Sequence, residues 1–512
     1  MVNTKRMLAM LLGIVMLISL LAACGGDAQT SAAPGADAGS SAEAGNEAST
    51  GAKEINVALP YDAYTLDPAN CDDDASSMPI MLINEALMRE SADGVIPGLA
   101  ESWEHSDDNL EWTFHLRQST WADGTPLTAN DLYYSMMRIL DPENGLALID
   151  NLIDIEGAED YIYGEGSLED VGIEAVDDYT LRLKYRYPAF EQDFTDYVFM
   201  PANQAAVEKG GEAYGAEADT VLCNGPFVVT SWVHDSEIVL EKNPNYWNAD
   251  AIHLDKIVFK VGAVDDTAVD MLLTGALDAS TFTTADSRDE VLNNPGFSAL
   301  TGNGGAQFIH INTDGLTEET GAWLSNVNFR KALSAALDRD ALVRAVYTTD
   351  TAAYCLVPET EMGVNDFFNK EFDTGSWSTT QDVEAAQQYL SAAMEELGVS
   401  DVSEIPTFTM LAFDSDNNVT CLNAVADMWD KALGIHCELD METITSMLDK
   451  AYSGQFDFWK GGTSINRDVF DVMYTYSDAY GDDVCNRHDA EFDALYEKVM
   501  LATDWADRKS VV

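Results

Sequence analysis

Residues Leu99–Leu140 read LAESWEHSDDNLEWTFHLRQSTWADGTPLTANDLYYSMMRIL, and this stretch decides the fold. Trp112, Phe114 and Leu116 alternate with Glu111, Thr113, His115 and Arg117, the period of a strand with one buried face. Ala122-Asp123-Gly124-Thr125-Pro126 carries turn chemistry. Thr128, with Asp131 at the third position after it, is an N-terminal capping signal ahead of an apolar helix. Strand, turn and capped helix make a βα unit.

Taken as a string, LAESW, WTFHLR and W.DGTPLTA.D resemble the signature region of the bacterial extracellular solute-binding proteins of family 5, which serve peptide and nickel ABC transporters. Other motifs of the family recur in order. They are LDP at Leu66-Asp67-Pro68, a TGPF-like Cys223-Asn224-Gly225-Pro226-Phe227, NP.YW at Asn243 to Trp247, and R.AL..A.DR..L from Arg330. The resemblance spans nearly everything from Ile55 to Val512. It implies an α/β, two-lobed periplasmic-binding-protein-like fold (type II) with an extra α/β domain in the first lobe. The expected boundaries are 54–83 and 188–301 for a discontinuous first lobe, 84–187 for the extra domain and 302–512 for the second lobe. The lobes are expected to close by hinge motion. The pattern breaks at Gly302-Asn303-Gly304-Gly305 and at Tyr187-Pro188, which are the hinge candidates.

The N-terminus indicates location. A basic Lys5-Arg6 start, an apolar run from Met7 to Leu21 and Leu21-Ala22-Ala23-Cys24 form a lipoprotein signal pattern over 1–23. Cys24 is the expected lipidation site, and segment 24–53 the anchor and tether. Its Gly, Ala, Ser and acidic composition cannot bury enough surface to offset ordering entropy. The protein is therefore expected on the outer face of the cell membrane, held by its lipid anchor.

Past the tether about 460 residues remain, more than one core usually serves. The formal net charge of −62 argues against nucleic acid or anionic lipid headgroups as partners. A cationic ligand and a solvated, soluble surface both remain readings of that charge. Six cysteines follow Cys24: Cys71, Cys223, Cys355, Cys421, Cys437 and Cys485. They permit disulfides or buried thiols, with Cys421 and Cys437 the expected neighbours.

Periodicity places strands at Ile55–Leu59, 178–185, 238–240 and 257–261, and helices at 78–88, 267–274 and 382–397, the last ended by Gly398. Asn418 to Asp457 reads as helix, strand and helix. Tyr496 to Val512 reads as a helix cut in mid-run, and the resemblance implies that more of it and an apolar return strand follow.

The sequence contains no G-x-S-x-G, H-E-x-x-H or Walker loop, and its seven histidines are scattered. Asp414 to Asn418 lacks the glycine and the distal glutamate of a calcium loop and reads as a turn with a helix cap. No cofactor, no metal and no enzymatic activity are expected. Binding is the better-supported class. A buried peptide ammonium must be paired, and in peptide-binding members of the family an aspartate in a GW..D segment pairs it. Counting from Phe456-Asp457, the tryptophan position here is Thr463 and the aspartate position Asn466, with Asp468 two residues on. The uncharged Asn466 leaves Asp468 as the candidate replacement. Loops at carboxyl ends of strands line ligand crevices, which adds Tyr61 and Tyr64. Asn224 completes the candidate set. The resemblance implies a monomeric substrate-binding lipoprotein that captures a small solute, a peptide first, and delivers it to ABC permease subunits. Open alternatives are an oligosaccharide, a nickel chelate, or a tethered hydrolase or adhesin.

Overall fold

The computed structural model describes residues 53–91, 94–282, 285–299, 305–347, 350–358, 363, 367–372, 377–463, 470–479 and 484–510. The expectations at Cys24, the tether up to residue 52, Gly302 to Gly304, Asn466 and Asp468 lie outside the described residues. Three four-stranded sheets organise the chain.

The first sheet runs Glu54–Leu59, Lys256–Val261, Glu237–Lys242, Phe227–Val233. Its first pair is parallel and the others antiparallel. Val57, Leu59, Ile238, Leu240, Ile257 and Phe259 bury against Leu66, Met78 and Ile83.

The signature region builds the second sheet, Ala100–His105, Glu111–Leu116, Thr180–Lys184, Ile173–Asp177, antiparallel throughout. Trp112, Phe114 and Leu116 are buried while Glu111 and His115 are exposed, as the alternation requires. Helix Ala129–Leu140 covers that face with Leu132, Met136, Ile139 and Leu140. Its start is fixed by Asp131, whose Oδ2 accepts from the Thr128 backbone N–H at 2.8 Å. Phe194 meets Phe114 edge-on at 4.7 Å. Truncating Phe114, which is fully buried, would cost about 3–5 kcal/mol.

The third sheet runs Ala306–Ile311, Phe458–Thr463, Phe408–Phe413, Cys437–Glu442. Its last three strands are parallel and the first antiparallel to its neighbour. Helices Val327–Ala335, Val383–Leu397 and Asp416–Leu433 pack on one face. Arg330 and Arg339, from the R.AL..A.DR motif, donate to the carbonyls of Leu324, Ser325 and Ser334 and so close helix C-termini. Asp382 caps the start of the 383–397 helix, and Gly398 ends it at φ 71°.

Three local expectations are corrected. The helix expected over 78–88 runs Asp74–Ile83, because Asp73 accepts from the Ser76 N–H at 2.9 Å and caps it there. Met88–Ser91 is instead a strand paired with Gly94–Pro97, since a buried helix end and a buried strand are equally apolar. The 496–512 run breaks into helices Ala490–Met500 and Trp505–Ser510, with Asp504 accepting from the N–H groups of Ala506 and Asp507. Cys421 and Cys437 do not pair. No disulfide joins the six described cysteines, and all but Cys437 are buried.

Candidate functional site

Strand carboxyl ends define the ligand-facing edges of open α/β sheets. In the first sheet, strand Glu54–Leu59 runs into the loop Pro60–Pro68. In the third, the parallel strands end at Phe413, Glu442 and Thr463.

The first loop is tied at several points. Asp67 lies 1% exposed and receives Arg138 from the signature helix, Nη1 to Oδ1 at 3.1 Å and Nη2 to Oδ2 at 2.6 Å. Ser76 Oγ accepts from the N–H groups of Tyr64 and Thr65 at 2.8 and 3.1 Å. The Leu66 N–H donates to the Gly215 carbonyl at 2.7 Å. Gly215 has φ +82°, and a Cβ there would stand 2.8 Å from Asp67 N and Thr65 Oγ1, so only glycine permits this approach. Asp62 accepts from Trp232 Nε1 at 2.9 Å and from the Asp235 N–H at 3.0 Å. Held between these ties, Tyr61 is 49% and Tyr64 70% exposed. Burial, then Asp73 and Asp74, raise the pKa of Tyr61. Burial, then Asp73, raise those of Asp72 and Asp74.

Asn224 is placed differently from the two tyrosines. It is 3% exposed, accepts from the Glu85 N–H at 3.2 Å and donates Nδ2 to the Glu85 carbonyl at 3.2 Å. Its amide is spent on backbone. The same junction gathers signature residues that sequence reasoning did not connect. Glu85, 2% exposed, accepts from Trp247 Nε1 at 2.9 Å, and its other oxygen lies 3.7 Å from Arg89 Nη1. The Arg117 guanidinium lies 3.5 Å over the Trp247 ring. Burial raises the Glu85 pKa against the opposing pull of Arg89. WTFHLR and NP.YW thus meet at one buried carboxylate.

On the third sheet the strand Phe458–Thr463 carries the decisive group. Phe458 and Trp459 are buried on opposite faces, as alternation demands. The next residue, Lys460, is 9% exposed. Its Nζ donates to Gln307 Oε1 at 3.0 Å and sits 5.5 Å from the Tyr347 ring centroid. Among the described residues no carboxylate pairs with it, and burial lowers its pKa. A lysine inside an apolar strand was the signal available in the sequence, and it was not singled out. Thr463 ends this strand, opposite Ala306. The exposed Phe413 and Ile444 stand at the same sheet edge. The nearby Asp414 to Asn418 stretch is the expected helix cap, with Ser415 Oγ accepting from the Asn418 N–H. No group of three His, Cys, Asp or Glu suited to a metal occurs among the described residues. A surface hollow of about 280 Å³ between Asp108, Glu111, Glu156 and Lys184 lies on the second sheet, away from both edges.

Two α/β sheets, one followed by the loop of the exposed Tyr61 and Tyr64 and the other holding the buried Lys460, which has no carboxylate partner among the described residues, suit a two-lobed solute-binding protein. The chain belongs to the bacterial extracellular solute-binding proteins, family 5, whose profile (family 5 Middle) matches residues 94–483. The chain is 32% identical over 416 residues to the oligopeptide-binding protein OppA of Bacillus subtilis, covering 80% of this chain and 74% of that protein. It is 29% identical over 400 residues to the dipeptide-binding protein DppE of the same organism, covering 77% and 71%. Among solved structures, Listeria monocytogenes OppA bound to peptide matches with a TM-score of 0.69 and 25% identity, over 90% of each chain.

Proposed function

We propose that this protein captures a peptide bearing a free carboxylate and delivers it to an ABC importer's permease, with Lys460 receiving the carboxylate. The observation that carries this is the charge of Lys460. In a chain of formal charge −62, a buried ammonium whose polar partner is the neutral Gln307 is incomplete. An unpaired buried charge is costly, and an incoming carboxylate would remove that cost. The names of the relatives, peptide-binding proteins, agree with that ligand class. Tyr61 and Tyr64 would contact the ligand from the other lobe, and Asp468 would pair the ammonium in place of Asn466.

The proposal extends to the whole molecule. The protein acts as a monomer outside the cell membrane, anchored through Cys24, and has no catalytic role. No helix among the described residues is long and apolar enough to cross a membrane. Segments 54–83 with 188–301, 84–187 and 302–512 serve as first lobe, inserted domain and second lobe, and solute binding closes the lobes. Scattering with and without ligand should show a smaller radius of gyration on binding.

Calorimetric titration with peptides of two to five residues, as free acids and as amides, tests the ligand. The free acids should bind over a hundredfold tighter than the amides. Lys460→Met should abolish that preference. Equal affinity of acid and amide for the wild type would overturn the assignment.

A further inference from the structure

The loop that carries Tyr61 and Tyr64 is fixed at its far end by the ion pair of Asp67 and Arg138. Arg138 stays charged at any physiological pH, and Asp67 is held by it in a two-point contact. The near end differs. Asp62 accepts from Trp232 Nε1 and the Asp235 N–H, and its Oδ2 also lies 3.0 Å from His234 Nδ1. The other ring nitrogen of His234, Nε2, lies 3.7 Å from Glu217 Oε1. His234 rests beside Trp232 with ring centroids 4.3 Å apart. A neutral imidazole carries one N–H, which the 3.0 Å contact to Asp62 can take, whereas an imidazolium keeps that bond and also places a positive charge 3.7 Å from Glu217. Glu217 belongs to the segment that Gly215 brings against Thr65 and Asp67. One protonated ring therefore spans the hairpin at 232–235, the segment at 215–220 and the near end of the aromatic loop. The charged groups acting on it are Asp62 from the loop and Glu217 from the segment, and both raise its pKa.

We propose that His234 is a positioning residue for solute capture: as an imidazolium it bridges Asp62 to Glu217, fixes the loop of Tyr61 and Tyr64, and makes solute affinity fall as the ring deprotonates. The inference rests on the reading of Tyr61 and Tyr64 as ligand contacts. His234 is about half exposed, so the contribution is that of a partly screened pair, a factor of about two to five.

Two measurements separate this proposal from the reading beneath it. The first needs no ligand. Hydrogen exchange of residues 60–66, corrected for intrinsic rates, is compared at pH 6 and pH 8 in the full mature chain. Protection should fall about two- to fivefold from pH 6 to pH 8 in the wild type, and be unchanged between the two pH values in His234→Gln and in Glu217→Gln. A wild-type loop equally protected at both pH values would overturn the latch whatever the ligand. The second is calorimetry with the tightest free-acid peptide. Wild-type affinity should drop two- to fivefold from pH 6 to pH 8, and His234→Gln should show the wild-type pH 8 affinity throughout. A pH step that survives in His234→Gln assigns it to another group and refutes the proposal. A latch seen by exchange with no matching change in affinity would instead refute the role of the two tyrosines.

Discussion

Asp67 and Arg138 form a two-point ion pair across 71 residues of sequence, joining the loop after the first strand to the signature helix. Asp67 also accepts from the Ala69 N–H at 3.1 Å, so its Oδ1 takes two hydrogen bonds and its Oδ2 one. The LDP motif is thereby explained: its aspartate docks the aromatic loop on the inserted α/β unit.

Removing one partner leaves the other buried and unpaired, which costs about 3–5 kcal/mol. Asp67→Asn and Arg138→Met should each lower unfolding free energy by that order in urea titrations. The double variant should cost less than the sum of the two, because each single change already breaks the pair. Additive losses would show that the pair is not a unit.

His310 sits on the Ala306–Ile311 strand, stacked at 4.7 Å on Trp459, with its Nδ1 3.4 Å from Tyr476 Oη. Full burial lowers its pKa from 6.5 to about 4. The unfolded chain therefore binds a proton that the folded chain refuses between those values. Its stabilising contribution is complete above about pH 6.5 and is lost as pH falls toward about 4, a swing of about 3 kcal/mol. His310→Phe, which keeps a ring against Trp459, should flatten this part of the stability profile. An unchanged slope between pH 6.5 and 4 would show that His310 is protonated in the fold.

The ammonium end of the ligand tests the Asn466 and Asp468 assignment. Asp468→Asn should weaken free-amino peptides over a hundredfold, and Asn466→Asp should keep or strengthen them. Amino-acetylated peptides binding the wild type as well as free ones would show that no carboxylate serves there.

Cys24→Ala should release the protein from the membrane fraction or leave its signal uncleaved. Normal processing with full membrane retention in that variant would remove the lipid anchor from the account.

Local chemistry was legible in the sequence. The alternation of Trp112, Phe114 and Leu116 sets a strand because successive side chains must point to opposite faces. Thr128 and Asp131 set a helix start because orphan N–H groups need an acceptor within one turn. Asp382 and Gly398 bracket a helix for similar reasons. The 78–88 stretch was misread because apolar periodicity does not tell a buried helix end from a buried strand.

Partnership across the chain belonged to the tertiary structure. Asn224 was a candidate ligand contact in sequence, yet its amide is taken by Glu85, 139 residues away. Lys460 became a candidate site residue only when the fold buried it beside Gln307, with no carboxylate partner among the described residues. His234 gained two acidic neighbours because the hairpin brings it to Asp62 and the Gly215 approach sets Glu217 beside it. Caps and alternation act over a few residues, so the sequence by itself determines them. Burial and charge pairing depend on which distant segments share one small volume, and packing alone decides that.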